Sequence, residues 1–325
     1  MTGKFVKPVN AVIAGYSYIK SSLTGNVSVA GMPAALSVEL TNHCNLHCPE
    51  CLSGSGLMKR GRGYMDTGLF RRVMSELRPY IFNLNLYFQG EPMLHPQFFS
   101  FLENCPEVRK TVSTNGHFLS EENTEKLVRS TLSKLVISLD GLDQETYSKY
   151  RKEGNLNAVL NGIKNITSAK DKYGSNLKLE IQFLVSRNNE HQIAEVKCFA
   201  HEINASFTLK SMQIRDKRDM EYWLPSGKKF SRYKKIDGYY VIRNSMPDRC
   251  ARLWFNPVIT WDGKVVPCCF DKDAEHVMGD LNRDSFRDIW NGTRYRIFRK
   301  SILSGRYMTE ICRNCTSGMK WGINH

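Results

Sequence analysis

From Leu36 onward the chain alternates short runs of β-branched and apolar residues with longer segments whose apolar positions recur at helical spacing. Leu36–Leu40, Leu84–Phe88, Lys110–Ser113, Leu135–Leu139, Leu177–Val185 and Phe207–Ile214 read as strands. Thr67–Arg78, Pro96–Asn104, Glu121–Ser130, Leu156–Tyr173 and Asn189–Ile203 read as the intervening helices, with Thr67 and Ser120 placed as N-caps. Six such strand–helix units predict a parallel sheet with right-handed crossovers and ligand-binding loops at the carboxyl ends of the strands. Residues 1–35 read as an N-terminal extension, with an amphipathic helix expected over 8–20 and a break at Gly25 and Gly31-Met32-Pro33. After Ile214 the alternation stops. Residues 215–245 are basic and aromatic, a linker or lid, and 246–325 form a small cysteine-rich segment.

Composition narrows the class. With 325 residues, 41% hydrophobic and 24% charged, the chain is neither disordered nor fibrous and has room for one large α/β domain and an appendage. A net charge of +14 favours anionic partners. No apolar run is long enough to span a membrane, and no secretory signal is visible, so a reducing cytoplasm is expected. There, clustered cysteines bind metal more often than they pair as disulfides.

The ten cysteines fall into two clusters. Cys44, Cys48 and Cys51 form a C-x3-C-x2-C loop directly after the first expected strand. Three thiolates on one tight loop suit a cubane iron–sulfur cluster whose fourth iron stays open; zinc would need a fourth ligand, for which His43 and His47 are the candidates. In the second cluster, Trp261 to Cys268 reads as a hairpin turning at Asp262-Gly263, and Cys312-Arg-Asn-Cys315 as a knuckle. With Cys250 and Cys268, these four thiolates close a site that suits either zinc or a 4Fe-4S cluster. Cys105 and Cys198 are expected in the core, as is Cys269.

The first loop, with its Cys-Asn-Leu-x-Cys-Pro-x-Cys wording, resembles the signature of the radical S-adenosylmethionine enzymes, in the form carried by members with a C-terminal SPASM or twitch extension. Gly90-Glu91-Pro92 resembles the family's GGE motif with Gln89 in place of the first glycine; Ser113-Thr-Asn115-Gly and Ile137-Ser138-Leu-Asp140-Gly resemble its later strand-end motifs. Glu50 departs from the pattern, standing where most members carry an aromatic residue. The resemblance implies a partial (β/α)6 TIM-like barrel over 36–214 and a twitch/SPASM-like iron–sulfur domain over 246–325. It also implies S-adenosylmethionine binding by Gly90, Glu91, Ser113, Asn115, Ser138, Asp140 and Arg151, with Arg151 on the methionine carboxylate. Two 4Fe-4S clusters are implied, one on Cys44, Cys48 and Cys51 and an auxiliary one on Cys250, Cys268, Cys312 and Cys315.

The chemistry so implied is reductive cleavage of S-adenosylmethionine, hydrogen-atom abstraction by the 5′-deoxyadenosyl radical, and passage of an electron to the auxiliary cluster. Sulfatase-maturing relatives place a basic Asp directly after the equivalent of Cys268; here Cys269 stands there and Asp271 follows, leaving those two as the catalytic candidates. A small polar or phosphorylated, sugar- or cyclitol-like substrate is favoured over a ribosomal peptide, with a flavodoxin- or ferredoxin-like reductant. A non-catalytic nucleic-acid binder using Arg215–Tyr240 is the reading of another class, and a lid over the substrate is preferred to it.

Overall fold

A computed structural model describes residues 5–243 and 246–315; residues 1–4, 244–245 and 316–325, where the extension begins and the last segment ends, lie outside them. The described residues fall into two compact units interleaved along the chain, one holding 5–43, 58–111 and 246–315, the other 44–57 and 112–243. The strands are β1 (Ala35–Val38), β2 (Asn83–Asn85), β3 (Arg109–Thr114), β4 (Leu132–Ser138), β5 (Lys178–Val185), β6 (Ser206–Ser211), β7 (Tyr233–Ile236), β8 (Tyr239–Ile242), β9 (Val258–Ile259), β10 (Lys264–Val266) and β11 (Gly279–Asp280).

In the first unit β1 pairs in parallel with β2 and β9, and β2 with β3, so that Leu36, Leu84 and Lys110 share a register row. Lys110 is wholly buried there; its stem fills the row and its ammonium donates to the Cys105 carbonyl at 2.8 Å. The hairpin expected around Asp262-Gly263 is present: β9 and β10 are antiparallel, and Gly263 takes the left-handed conformation with φ 83°. Because β9 pairs with β1, the cysteine-rich segment joins the first unit's sheet. Its Trp254 and Trp290 indoles donate to Ser28 and Gly31 carbonyls, both at 2.9 Å, tying down the extension. Arg299, fully buried with no carboxylate partner among the described residues, donates to the Leu253 and Trp290 carbonyls and lies 3.9 Å from the Tyr295 ring centroid; burial pushes its pKa down to about 10.

In the second unit β4, β5 and β6 are parallel neighbours, with Leu135 opposite Leu179 and Ile181 opposite Phe207. Helices Glu121–Arg129 and Leu156–Tyr173 start at Ser120 and Asn155 caps, each accepting a backbone N–H three residues on. Every pairing described among β1–β6 is parallel, which makes this an α/β protein with a parallel sheet, as the six expected strands required.

Three local expectations are corrected. Asp66, not Thr67, caps helix Thr67–Leu77, accepting Leu69 N–H at 2.7 Å, because a carboxylate one residue earlier reaches the exposed amides first. Cys198 is exposed on helix Ile193–Glu202 rather than in the core. The N-terminal helix, here α1 (Val6–Thr24), is longer than 8–20, ending only where Gly25 adopts φ 68°.

Candidate functional site

The three-cysteine loop folds back on itself just after β1. Cys51 N–H donates to the Cys48 carbonyl at 3.2 Å, and a Cβ at Gly54 would lie 2.6 Å from Cys48 N, so only glycine lets the following turn close. Leu46 and Cys48 are buried in an apolar cluster with Tyr150, Met212, Ile214 and Trp223, and Cys44 and Cys51 pack against it. Burial pushes the Cys48 thiol up to about 11 despite the Arg151 guanidinium beside it.

The strand-end residues of the same unit surround this loop. Asn115 Nδ2 donates to Asn45 Oδ1 at 2.7 Å and stands 4.0 Å from Cys44 Sγ. Arg151 stands 4.0 Å from Cys48 Sγ through Nη1, and its Nε donates to Asp140 Oδ2 at 2.6 Å. Asp140 in turn accepts Leu184 N–H at 2.7 Å, so it acts as a strut between Arg151 and β5. Nε of Arg151 is thus held by Asp140 while Nη1 faces Cys48. Ser138 ends β4, nine-tenths buried, and Ser113 lies half-buried in β3.

Gly90 and Glu91 belong to the first unit. Gly90 has φ 75°, and a Cβ there would come within 2.6 Å of the Thr41 and His43 carbonyls; Glu91 N–H donates to the His43 carbonyl at 2.8 Å. The Glu91 carboxylate caps the turn, Oε1 accepting Met93 N–H at 3.1 Å. Beside it Gln89 Oε1 is buried with no hydrogen-bond partner, an acceptor suited to an ammonium donor.

Two histidines lie in and beside this loop in the sequence. His47 Nδ1 pairs with Glu153 at 2.9 Å, and His43 stacks on Tyr64 with centroids 4.8 Å apart. The loop itself offers three thiols, the donor set of a cubane with one open iron. Among the described residues no three His, Cys, Asp or Glu side chains close at single-ion spacing. The thiols of Cys250, Cys268, Cys312 and Cys315 line one cavity.

Sequence reasoning missed three arginines. Arg306 donates to Cys315 Sγ at 3.4 Å and Arg252 lines the same cavity, so two cations face the four thiols. Burial disfavours the Arg306 charge, but Cys250, Cys315 and Cys312 outweigh it and raise its pKa; burial pushes Cys268 and Cys312 up. Arg215 clamps the first loop: its N–H donates to Glu50 Oε2 at 2.8 Å and its Nη2 to the Pro49 carbonyl at 2.7 Å. Burial raises the Glu50 pKa, with the Arg215 N–H and charge opposing it. The signal was the departure at Glu50 itself, a buried carboxylate that demands a partner. Of the catalytic candidates, Asp271 is buried and spends its oxygens on Glu275 and His276 N–H groups, at 2.8 and 2.9 Å, while the half-buried Cys269 lies beside Arg252 and is the largest cause of its raised pKa.

Residues 38–177 match the radical SAM superfamily and residues 250–316 the SPASM iron–sulfur cluster-binding domain. The chain belongs to the radical SAM superfamily: it is an iron–sulfur enzyme that uses S-adenosylmethionine and a 4Fe-4S cluster, and its SPASM domain binds further iron–sulfur. It is 22% identical over 289 residues to the S-adenosyl-L-methionine-dependent 2-deoxy-scyllo-inosamine dehydrogenase of Niallia circulans, covering 87% of this chain and 92% of the relative. Mycofactocin maturase MftC of Mycobacterium tuberculosis is 29% identical over 195 residues, 59% of this chain and 47% of the relative. Streptococcus suis SuiB bound to S-adenosylmethionine shares the fold, with TM-score 0.63 at 16% identity over 94% of this chain and 76% of SuiB.

Proposed function

We propose that the protein oxidises a small polar or phosphorylated, sugar- or cyclitol-like substrate, and that Cys250, Cys268, Cys312 and Cys315 hold a single auxiliary 4Fe-4S cluster that takes the second electron. The observation that carries this reading is the nearly end-to-end similarity to a cyclitol-amine dehydrogenase, over 87% of this chain and 92% of the relative. Cys44, Cys48 and Cys51 would hold the cluster with the open iron. Bound there, that cluster supplies the electron that cleaves the sulfonium of S-adenosylmethionine.

The remaining roles fall to the protein. The Gly90 backbone and Gln89 Oε1 receive the amino group, Arg151 pairs with the carboxylate, and Asp140 holds Arg151 in place. Ser113, Asn115 and Ser138 offer polar contacts for the nucleoside. The apolar cluster around Leu46 and Trp223 keeps water from the cysteine loop. Arg252 and Arg306 compensate the negative charge of a four-thiolate cluster.

A second reading, a maturase acting on a peptide, draws on the higher identity to MftC, although that similarity spans only about half of the relative. Deuterium transfer separates the two. The reconstituted enzyme, reduced anaerobically, is incubated with deuterated aminocyclitols and sugar phosphates, or with deuterated peptides. Label in 5′-deoxyadenosine from the first set supports the proposal, and label only from peptides overturns it.

A further inference from the structure

The N-terminal helix α1 turns its apolar side away from the protein. Phe5, Val9, Val12, Tyr16, Ile19 and Leu23 are 65%, 49%, 72%, 64%, 56% and 79% exposed, and their three- and four-residue steps set them in one stripe along the helix.

The inward face is small and polar, and hydrogen bonds fix it. Asn10 Nδ2 donates to the Met32 carbonyl at 2.9 Å, and Asn10 Oδ1 accepts Met32 N–H at 2.8 Å. Ser17 Oγ accepts Ala30 N–H at 3.1 Å and Ser21 Oγ accepts Ser28 N–H at 2.8 Å. A Cβ on Gly31 would lie 2.8 Å from Ala14 N, so the helix sits directly on the backbone beneath it. Rolling the stripe inward would strand these buried polar groups, so the outward orientation is built into the fold.

We infer that α1 is an interfacial anchor that seats the protein reversibly on an anionic phospholipid surface. Charge is the first reason. The helix carries Lys20 beside the stripe and no Asp or Glu, its Lys7 on the other side donates to the Glu107 carbonyl at 3.4 Å, Lys300 donates to the Gly25 carbonyl at its C-terminal end at 2.7 Å, and the whole chain is at +14. A second copy would bring the same charge to the stripe, whereas anionic headgroups complement it.

Size is the second reason. A helix of 19 residues is about 28 Å long and its stripe offers roughly 300 Å², well short of the ~800 Å² per partner of a stable protein interface. A bilayer needs no matching shape. The helix is not apolar enough to cross a membrane, so its geometry is that of a helix lying in the interface plane. This inference rests on the helix alone and stands whatever the substrate is.

The test is co-sedimentation of the holoenzyme with vesicles of phosphatidylglycerol and phosphatidylcholine in equal parts, and with phosphatidylcholine vesicles. Binding to the mixed vesicles is expected to weaken with salt. It should fall at least about tenfold in Val12→Asp/Ile19→Asp and by less in Lys20→Glu. Iron content and melting temperature report that the variants are folded. Tyr16→Trp, which keeps the stripe apolar, should show a blue-shifted emission component on mixed vesicles that the parent protein lacks.

Equal binding by wild type and the double variant, equal binding to neutral vesicles, or no blue shift for Tyr16→Trp would overturn the inference. So would a lipid-free dimer that the double substitution dissociates, since the stripe would then be a subunit interface.

Discussion

Arg151 stands where one buried interaction serves both stability and ligand binding. Its side chain is 15% exposed and that of Asp140 1%, so removing the cation leaves a carboxylate stranded. Arg151→Met is expected to cost about 3–5 kcal/mol in denaturant unfolding, and Asp140→Asn in the same chain should recover part of it. The family resemblance made Arg151 legible in the sequence. The strut role of Asp140 was not, because its other partner, Leu184, lies 44 residues away. Two histidines set the acid limit. His95 bonds the Met65 carbonyl through Nε2 and accepts Gln97 N–H through Nδ1, and His117 accepts Asn155 N–H, so both rings are held neutral. Burial lowers both pKa values, which means the unfolded chain binds protons that the folded one does not. Stability is then complete above about pH 6.5 and declines as pH falls below it. Urea midpoints between about pH 5 and 8 should show this slope, and His95→Gln/His117→Gln should flatten it.

At the scale of elements, apolar runs gave the six parallel strands, but their ends moved where side chains alone do not decide pairing. β2 stops at Asn85 rather than Phe88, and β6 at Ser211 rather than Ile214, because the chain beyond is drawn into loops that carry the motifs. The β7–β8 hairpin went unread although Asp237-Gly238, at φ 48° and 82°, is a favoured hairpin turn; the surrounding basic and aromatic composition drew attention to charge instead of alternation. The amphipathic character of α1 was legible, but the side facing the protein was not, since it depends on backbone partners at Ser28, Ala30 and Met32. Gly90 offers the clearest test of a loop. Gly90→Ala combines a left-handed φ with contact against two carbonyls, so it should destabilise by about 1–3 kcal/mol and weaken S-adenosylmethionine binding, measured by thermal melting and equilibrium dialysis.

Over the whole molecule, seven of the ten cysteines gather into two separate places, three on the loop after β1 and four around one cavity. That division was readable from spacing, because a tight C-x2-C marks each cluster, with one further thiol in the first and two in the second. The arginines that serve them were not, since basic residues are too common in a chain of +14 for two or three to stand out. The central claim is that each of these places holds one iron–sulfur cluster. Anaerobic reconstitution with iron and sulfide followed by iron counting tests it most directly. The account predicts about eight irons per chain with reductant-dependent release of 5′-deoxyadenosine, and about four irons with that release retained in Cys312→Ala/Cys315→Ala. About four irons in the unmodified protein, unchanged by that double substitution, would contradict it.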